Sequence, residues 1–119
     1  MATVLTTAAK AYIVDKLDTT VTTRLEYVAW GTGAGTAAVG DTTLFTEGPE
    51  ARTLGTLSQP AADTMRLVGT ITATGARTVT NAGSFTASSG GTLGVKGDFT
   101  GIVLATNDQI QFTIDIQIT

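Results

Sequence analysis

The stretch Gln109-Ile110-Gln111-Phe112-Thr113-Ile114-Asp115-Ile116-Gln117-Ile118-Thr119 alternates polar and apolar residues without exception. Successive side chains of a β-strand point to opposite faces, so this segment reads as a strand with one apolar and one polar face. Clean alternation marks an antiparallel sheet that packs one face on a core and turns the other to solvent. Ile114 stands at the centre of the apolar row, and a charge placed there is expected to unfold the domain. Asp115 is the only charge on the polar face. Taken alone it faces solvent; in an assembly it lines a ring of contacts around an oligomer axis.

Working back from that strand, Asn107-Asp108 is a turn. Ile102 to Leu104 reads as a short strand, and Thr92 to Phe99 as another. Ser88-Ser89-Gly90-Gly91 and Gly75-Ala76 are turns that bracket a strand from Arg77 to Ala87. Thr64 to Thr74 alternates through Met65, Leu67, Gly69 and Ile71. Gln59 to Asp63 breaks the chain after a short strand from Thr53 to Ser58. Gly48-Pro49 turns within an irregular segment from Leu44 to Arg52, and Leu25 to Trp30 is a buried strand. Roughly six or seven short strands with frequent turns predict a mainly β fold, an antiparallel β-sandwich or a jelly-roll-like small barrel. The one helix is expected over about residues 6–18. Thr6 or Thr7 caps it, and Ala9, Ile13 and Leu17 share a face beside Tyr12. A chain of 119 residues fits a single domain, residues 1–119.

Composition excludes more than it selects. Charged residues are 14% of the chain, against roughly 25% in ordinary soluble domains. Thr makes up roughly one residue in five, which suits exposed strand faces. Repeated contacts with neighbouring subunits explain so little charge; a β-domain from a Thr-rich proteome explains it equally. The net charge is −3 and the seven Lys and Arg are scattered, so no nucleic-acid partner is expected. No apolar run is long enough to span a membrane. The start MATVLTTAAK lacks the basic head and apolar middle of a signal peptide, which predicts folding in the cytoplasm where the chain is made. There is no Cys and no His. That removes disulfides, thiol nucleophiles, Cys/His zinc sites and the commonest general base, so neither cofactor, metal nor catalytic residue is expected.

Two segments are candidate sites. Gly31-Thr32-Gly33-Ala34-Gly35 follows a strand, but the dinucleotide fingerprint needs Gly at position 36, which is Thr, and a helix afterwards. It is read as a flexible or tightly turned loop, with Trp30 as core or as a shelf beneath it. Glu47, Glu50 and Arg52 cluster around Gly48-Pro49. Two carboxylates are able to do acid–base work or hold a hard cation; an ion pair of Arg52 with Glu47 or Glu50 that fixes the loop is the simpler expectation. Asp63, Asp98 and Asp108 are placed at turns, capping local backbone.

The order of these segments carries a resemblance. LTTAAKAYIVDKLD is followed by YVAWGTGAGT, then GDTTLFTEGPEAR, then MRLVGTITATGARTVTNAGSFTASSGGTL, and the chain closes on DFTGIVLATNDQIQFTIDIQI. This pattern resembles small structural proteins of tailed bacteriophages, namely head decoration (cement) proteins and the particle-proximal modules of tail fibres. In such modules an acid often precedes the Ala-Gly step; here that residue is Asn81. The resemblance implies a non-enzymatic virion-surface protein that forms oligomers, typically homotrimers, and contacts the major capsid protein or, alternatively, tail or fibre proteins. A glycan-cleaving enzyme using Glu47 and Glu50 is the distant alternative. The candidate partner contacts are Trp30, Gly31, Gly33, Gly35, Glu47, Glu50 and Arg52.

Overall fold

In the computed structural model, which describes residues 2–18 and 22–119, the elements are β1 (Thr3–Leu5), α1 (Thr7–Asp18), β2 (Tyr27–Gly31), β3 (Thr53–Leu54), β4 (Thr56–Ala61), β5 (Thr64–Thr72), β6 (Arg77–Phe85), β7 (Leu93–Leu104) and β8 (Gln109–Gln117). They form two antiparallel sheets. One has five strands in the order β1-β7-β6-β2-β3, the other three in the order β4-β5-β8. The architecture is an open sandwich. The two sheets share no hydrogen-bonded edge, so the barrel alternative is not formed.

The C-terminal alternation lies in full register along β5, from Thr72 opposite Gln109 to Thr64 opposite Gln117. Leu67 and Ile71 of β5 enter the space between the sheets with Ala73, and meet Val28 and Trp30 of β2, Val79 and Ala82 of β6 and Leu104 of β7. Phe112 stands edge-on to Trp30, with ring centroids 6.5 Å apart at 77°. Ile110, Phe112, Ile114 and Ile116 point into this layer but stay half-buried, because β8 is the outer strand of its sheet. Ile114 is therefore less deeply placed than the alternation alone implies. Asp115 faces out and is paired across the ladder with Arg66 at 2.8 and 2.9 Å, so the solvent-side reading of that residue accounts for it.

Several boundaries differ from the sequence reading for physical reasons. The stretch Thr53–Ser58, expected as one strand, divides at Gly55 into β3 of the larger sheet and β4 of the smaller, so the chain changes sheets there. The segments Thr92–Phe99 and Ile102–Leu104 form one strand, β7. Its partner β6 continues past Gly101, and a register shift between Val79 and Asn81 absorbs the irregularity. β4 runs through Pro60, where a break was expected. It is an edge strand, so the missing N–H of proline is tolerated, and the register shifts there. β1 is too short to show a period, yet it pairs Thr3–Leu5 with Gly97–Val95.

The other face of the larger sheet is covered by α1 and the segment 32–50. Ala29, Leu44, Phe85 and Leu93 pack there as a second apolar cluster. Thr6 is the helix cap: its Oγ1 accepts from the Ala9 N–H at 3.1 Å and donates to the Leu93 carbonyl at 2.5 Å. Ala9 is buried, while Tyr12 and Ile13 are half-covered. Leu17, expected on the docked face, is 85% exposed.

Candidate interaction surface

The segment leaving β2 turns back along it. Thr32 and Gly33 donate their N–H groups to the Thr46 and Phe45 carbonyls at 3.0 and 2.9 Å, and Gly48 donates to the Trp30 carbonyl at 2.9 Å. No helix follows the glycines, and residues 39–40 form a turn. Gly31 is required by this return: a Cβ there overlaps the Phe45 carbonyl and lies 2.7 Å from the Asn81 amide. Gly35 adopts φ +156°, and the Phe45 ring rests against it. The Gly33 carbonyl accepts from the Thr80 hydroxyl. The glycines thus admit the chain's own Phe45 to close range.

The polar residues of this region lock the return in place. Trp30 is 1% exposed, and its Nε1 donates to Glu50 Oε1 at 2.8 Å. Thr74 donates both its N–H and its hydroxyl to Glu50 Oε2 at 3.0 Å. Arg77 Nε lies 3.2 Å from the same oxygen, in ion-pair range but without hydrogen-bond alignment. Burial pushes the Glu50 carboxyl toward the neutral form, but the donated hydrogen bonds outweigh it and hold the pKa at about 2. Arg52 grips Glu47 with two hydrogen bonds, 2.9 and 3.0 Å, and caps the Ala87 and Gly90 carbonyls at 2.9 and 2.7 Å. Its guanidinium lies 3.5 Å over the Phe85 ring. The expected ion pair therefore forms with Glu47, while Glu50 serves Trp30, Thr74 and Arg77. As partner contacts, Trp30, Gly31 and Glu50 are buried and support the surface without reaching it. Gly35 and Glu47 are exposed, and Gly33 and Arg52 partly so.

Sequence reasoning missed three further keys. Asn81 is fully buried and bonds both the N–H and the C=O of Phe45 at 3.0 Å, standing in for a strand neighbour. A carboxylate in its place lacks the donor that the Phe45 carbonyl needs. Lys96 is fully buried. It donates to Asp41 and to the Thr43 carbonyl at 2.8 Å, with Nζ 3.3 Å from the Phe45 ring centroid. That hydrogen bond from Lys96 holds the Asp41 carboxyl below its usual range. Asp98, expected at a turn, lies inside β7 and accepts from the Ala37 and Ala2 N–H groups at 2.7 and 3.2 Å. Asp108 does cap a turn, accepting from Ala105 at 2.8 Å, and Asp63 accepts from Thr64 and Gln117 in the β4–β5 turn.

A separate apolar groove of about 700 Å³ runs between α1 and the ends of β4, β5 and β8. Tyr12, Ile13, Leu17, Leu57, Met65, Ile116 and Ile118 line it, with Arg24 and Asp63 at its polar rim. Leu17 and Ile118 are 85% and 60% exposed, and Val14 on the same helix 61%. Among the described residues, no cluster of acidic side chains is arranged to hold a metal ion. Among the same residues, no helix is long and apolar enough to cross a membrane. Comparisons with protein-family models, with curated proteins and with solved structures returned no match.

Proposed function

We propose that this chain is a structural subunit on the surface of a tailed-phage particle, a head decoration protein that reinforces the capsid. The observation that carries the reading is the apolar groove beside α1. Large apolar side chains gathered at one exposed site are characteristic of an interface. In this reading the groove and helix join copies of the chain into a trimer, and the rim from Ala34 to Thr43, exposed except at Ala37 and Asp41, faces the capsid shell. Each copy then needs to contribute only a small binding energy. A subunit that binds only the assembled shell stabilises it by mass action, and many copies act on one particle.

The test adds the purified protein to capsids that lack it and follows their survival of heat and osmotic shock. Decorated shells survive longer. Leu17→Glu, at an exposed position, leaves the fold intact but reduces the trimer seen by light scattering. Equal survival together with labelling of tails favours the fibre-adaptor reading, and release of sugars from a host glycan favours the enzyme.

A further inference from the structure

The hydrogen-bond phase of β8 leaves one whole edge of backbone unspent. Ala73 donates its N–H to the Asp108 carbonyl at 2.8 Å, and at the other end Ile118 donates to the Asp63 carbonyl at 2.9 Å. Each pair continues the β5–β8 register one step beyond an end of the ladder. Antiparallel ladders alternate hydrogen-bonded with non-hydrogen-bonded pairs, so the two ends fix one phase and agree on it. Ile110, Phe112, Ile114 and Ile116 direct their N–H and C=O groups to β5. Gln109, Gln111, Thr113, Asp115 and Gln117 direct theirs away. β8 is the last strand of its sheet, and no other strand among the described residues pairs with it.

The devices that usually blunt such an edge are missing. β8 contains no Pro and no Lys, and its ladder has no register shift, whereas the opposite edge strand β4 carries Pro60 and a shift. The larger sheet also extends beneath the empty place beside β8. Thr3, Val95, Gly97 and Phe99 face Phe112 and Ile114 across a gap of about 220 Å³. Ile102 stands opposite the core residue Val79, so it shares the inward face, yet it is 41% exposed. Phe99 is half-buried, its ring centroid 6.4 Å from that of Phe112. Phe99 and Ile102 on β7 are thus inward-facing apolar side chains that are only partly covered.

We infer that the β8 edge accepts an extended segment of a partner chain as a fourth strand of the smaller sheet. Its alternate apolar side chains cover Phe99 and Ile102, and its backbone pairs with Gln109, Gln111, Thr113, Asp115 and Gln117. The occupant is a single extended segment and not a second sandwich. A copy joined through its own β8 brings its own β7 and β1 into the space these strands hold here. Charge sets one position. Asp115 meets Arg66 on its inner side, so Lys or Arg opposite it from outside extends the pair and an acid repels. The inference does not rest on the particle reading.

The probe is an acetylated peptide the length of β8, with Val or Ile alternating with Thr and Lys. Amide hydrogen exchange by NMR reads each position. On addition of the peptide, exchange at Gln111, Thr113 and Asp115 slows by about tenfold or more, while Ile110, Phe112 and Ile114 are protected throughout. Thr113→Pro removes an N–H that β5 does not use, so the fold persists and the peptide effect is lost. If that variant fails to fold, a peptide N-methylated on alternate amides tests the same edge on the unaltered protein and gives no slowing. Unchanged exchange at the outward amides with saturating peptide overturns the inference. So does protection of those amides by raised protein concentration without peptide, which makes the occupant a second copy.

Discussion

Replacing Glu50 by Gln probes the junction that fixes the 32–50 segment to the sandwich. The carboxyl titrates at about pH 2 in the folded chain against an ordinary value of 4.5. At about 1.4 kcal/mol per pH unit, that gap is worth about 3 kcal/mol of folding stability. The folded-state pKa is depressed, so this contribution is fully present above pH 4.5 and is lost as the pH falls from there toward 2. Gln keeps the shape but places an NH₂ against a Trp30 or Thr74 donor, and leaves Arg77 without its counter-charge. Losing one partner of a buried pair costs about 3–5 kcal/mol, and the partly exposed Arg77 brings the expectation to the lower end, about 3. Urea unfolding followed by the fluorescence of Trp30, the only Trp, measures both proteins from pH 7 to pH 2.5. Asp41 and Asp98 are also held below their usual range, and their contribution cancels in the difference. The variant is expected to be less stable at pH 7, with the gap closing below pH 4.5. A gap under about 0.5 kcal/mol at pH 7, or one that stays constant to pH 2.5, refutes the assignment.

Leu67→Ala, at a fully buried position, should cost about 3–4 kcal/mol in denaturant unfolding, and Ile114→Ala, half-buried on the outer strand, about half as much. The same reasoning places Leu67→Asp well below Ile114→Asp in melting temperature. Gly31→Ala should destabilise by about 1–3 kcal/mol, because the Phe45 carbonyl and the buried Asn81 amide have no room to retreat; a wild-type melting temperature would show that the return of the loop is loose. Asp115→Ala should barely move the melting temperature, and less still in high salt, since both it and Arg66 are substantially exposed.

The sandwich was legible because its long strands carry a period of two. β5 and β8 show it over nine residues each, and one buried face fixes their register. What the period could not show was depth. Ile110 to Ile118 read as a core row, but whether a strand is central or outermost is set by its neighbours, and among the described residues β8 pairs with β5 alone. The Arg52–Glu47 pair was also legible, from proximity along the chain. Asn81, Lys96 and Asp98 were not. Each serves a backbone or side-chain group tens of residues away, and nothing local distinguishes a buried Lys on a strand from an exposed one. Trp30 lies in β2 and Glu50 in the irregular segment after it, so their hydrogen bond exists only once that segment has folded back.

The segment between β2 and β3 is long for a connection without regular structure, and such loops are usually either functional or disordered. Here it is neither loose nor self-supporting. Asn81, Lys96 and Asp98, all on β6 and β7, reach up to Phe45, Thr43, Asp41 and Ala37 and satisfy the groups a strand neighbour would otherwise take. Leu44 and Ala37 add buried apolar anchors between these polar ones. The buried charge of Lys96 is tolerable because Asp41, the Thr43 carbonyl and the Phe45 ring surround it. A rim held at so many points loses little freedom when a partner settles on it, so less of the contact energy is spent on ordering. In the proposed particle-surface role, weak contacts repeated over many copies would draw on that economy, with the loop as a docking rim on a rigid β scaffold.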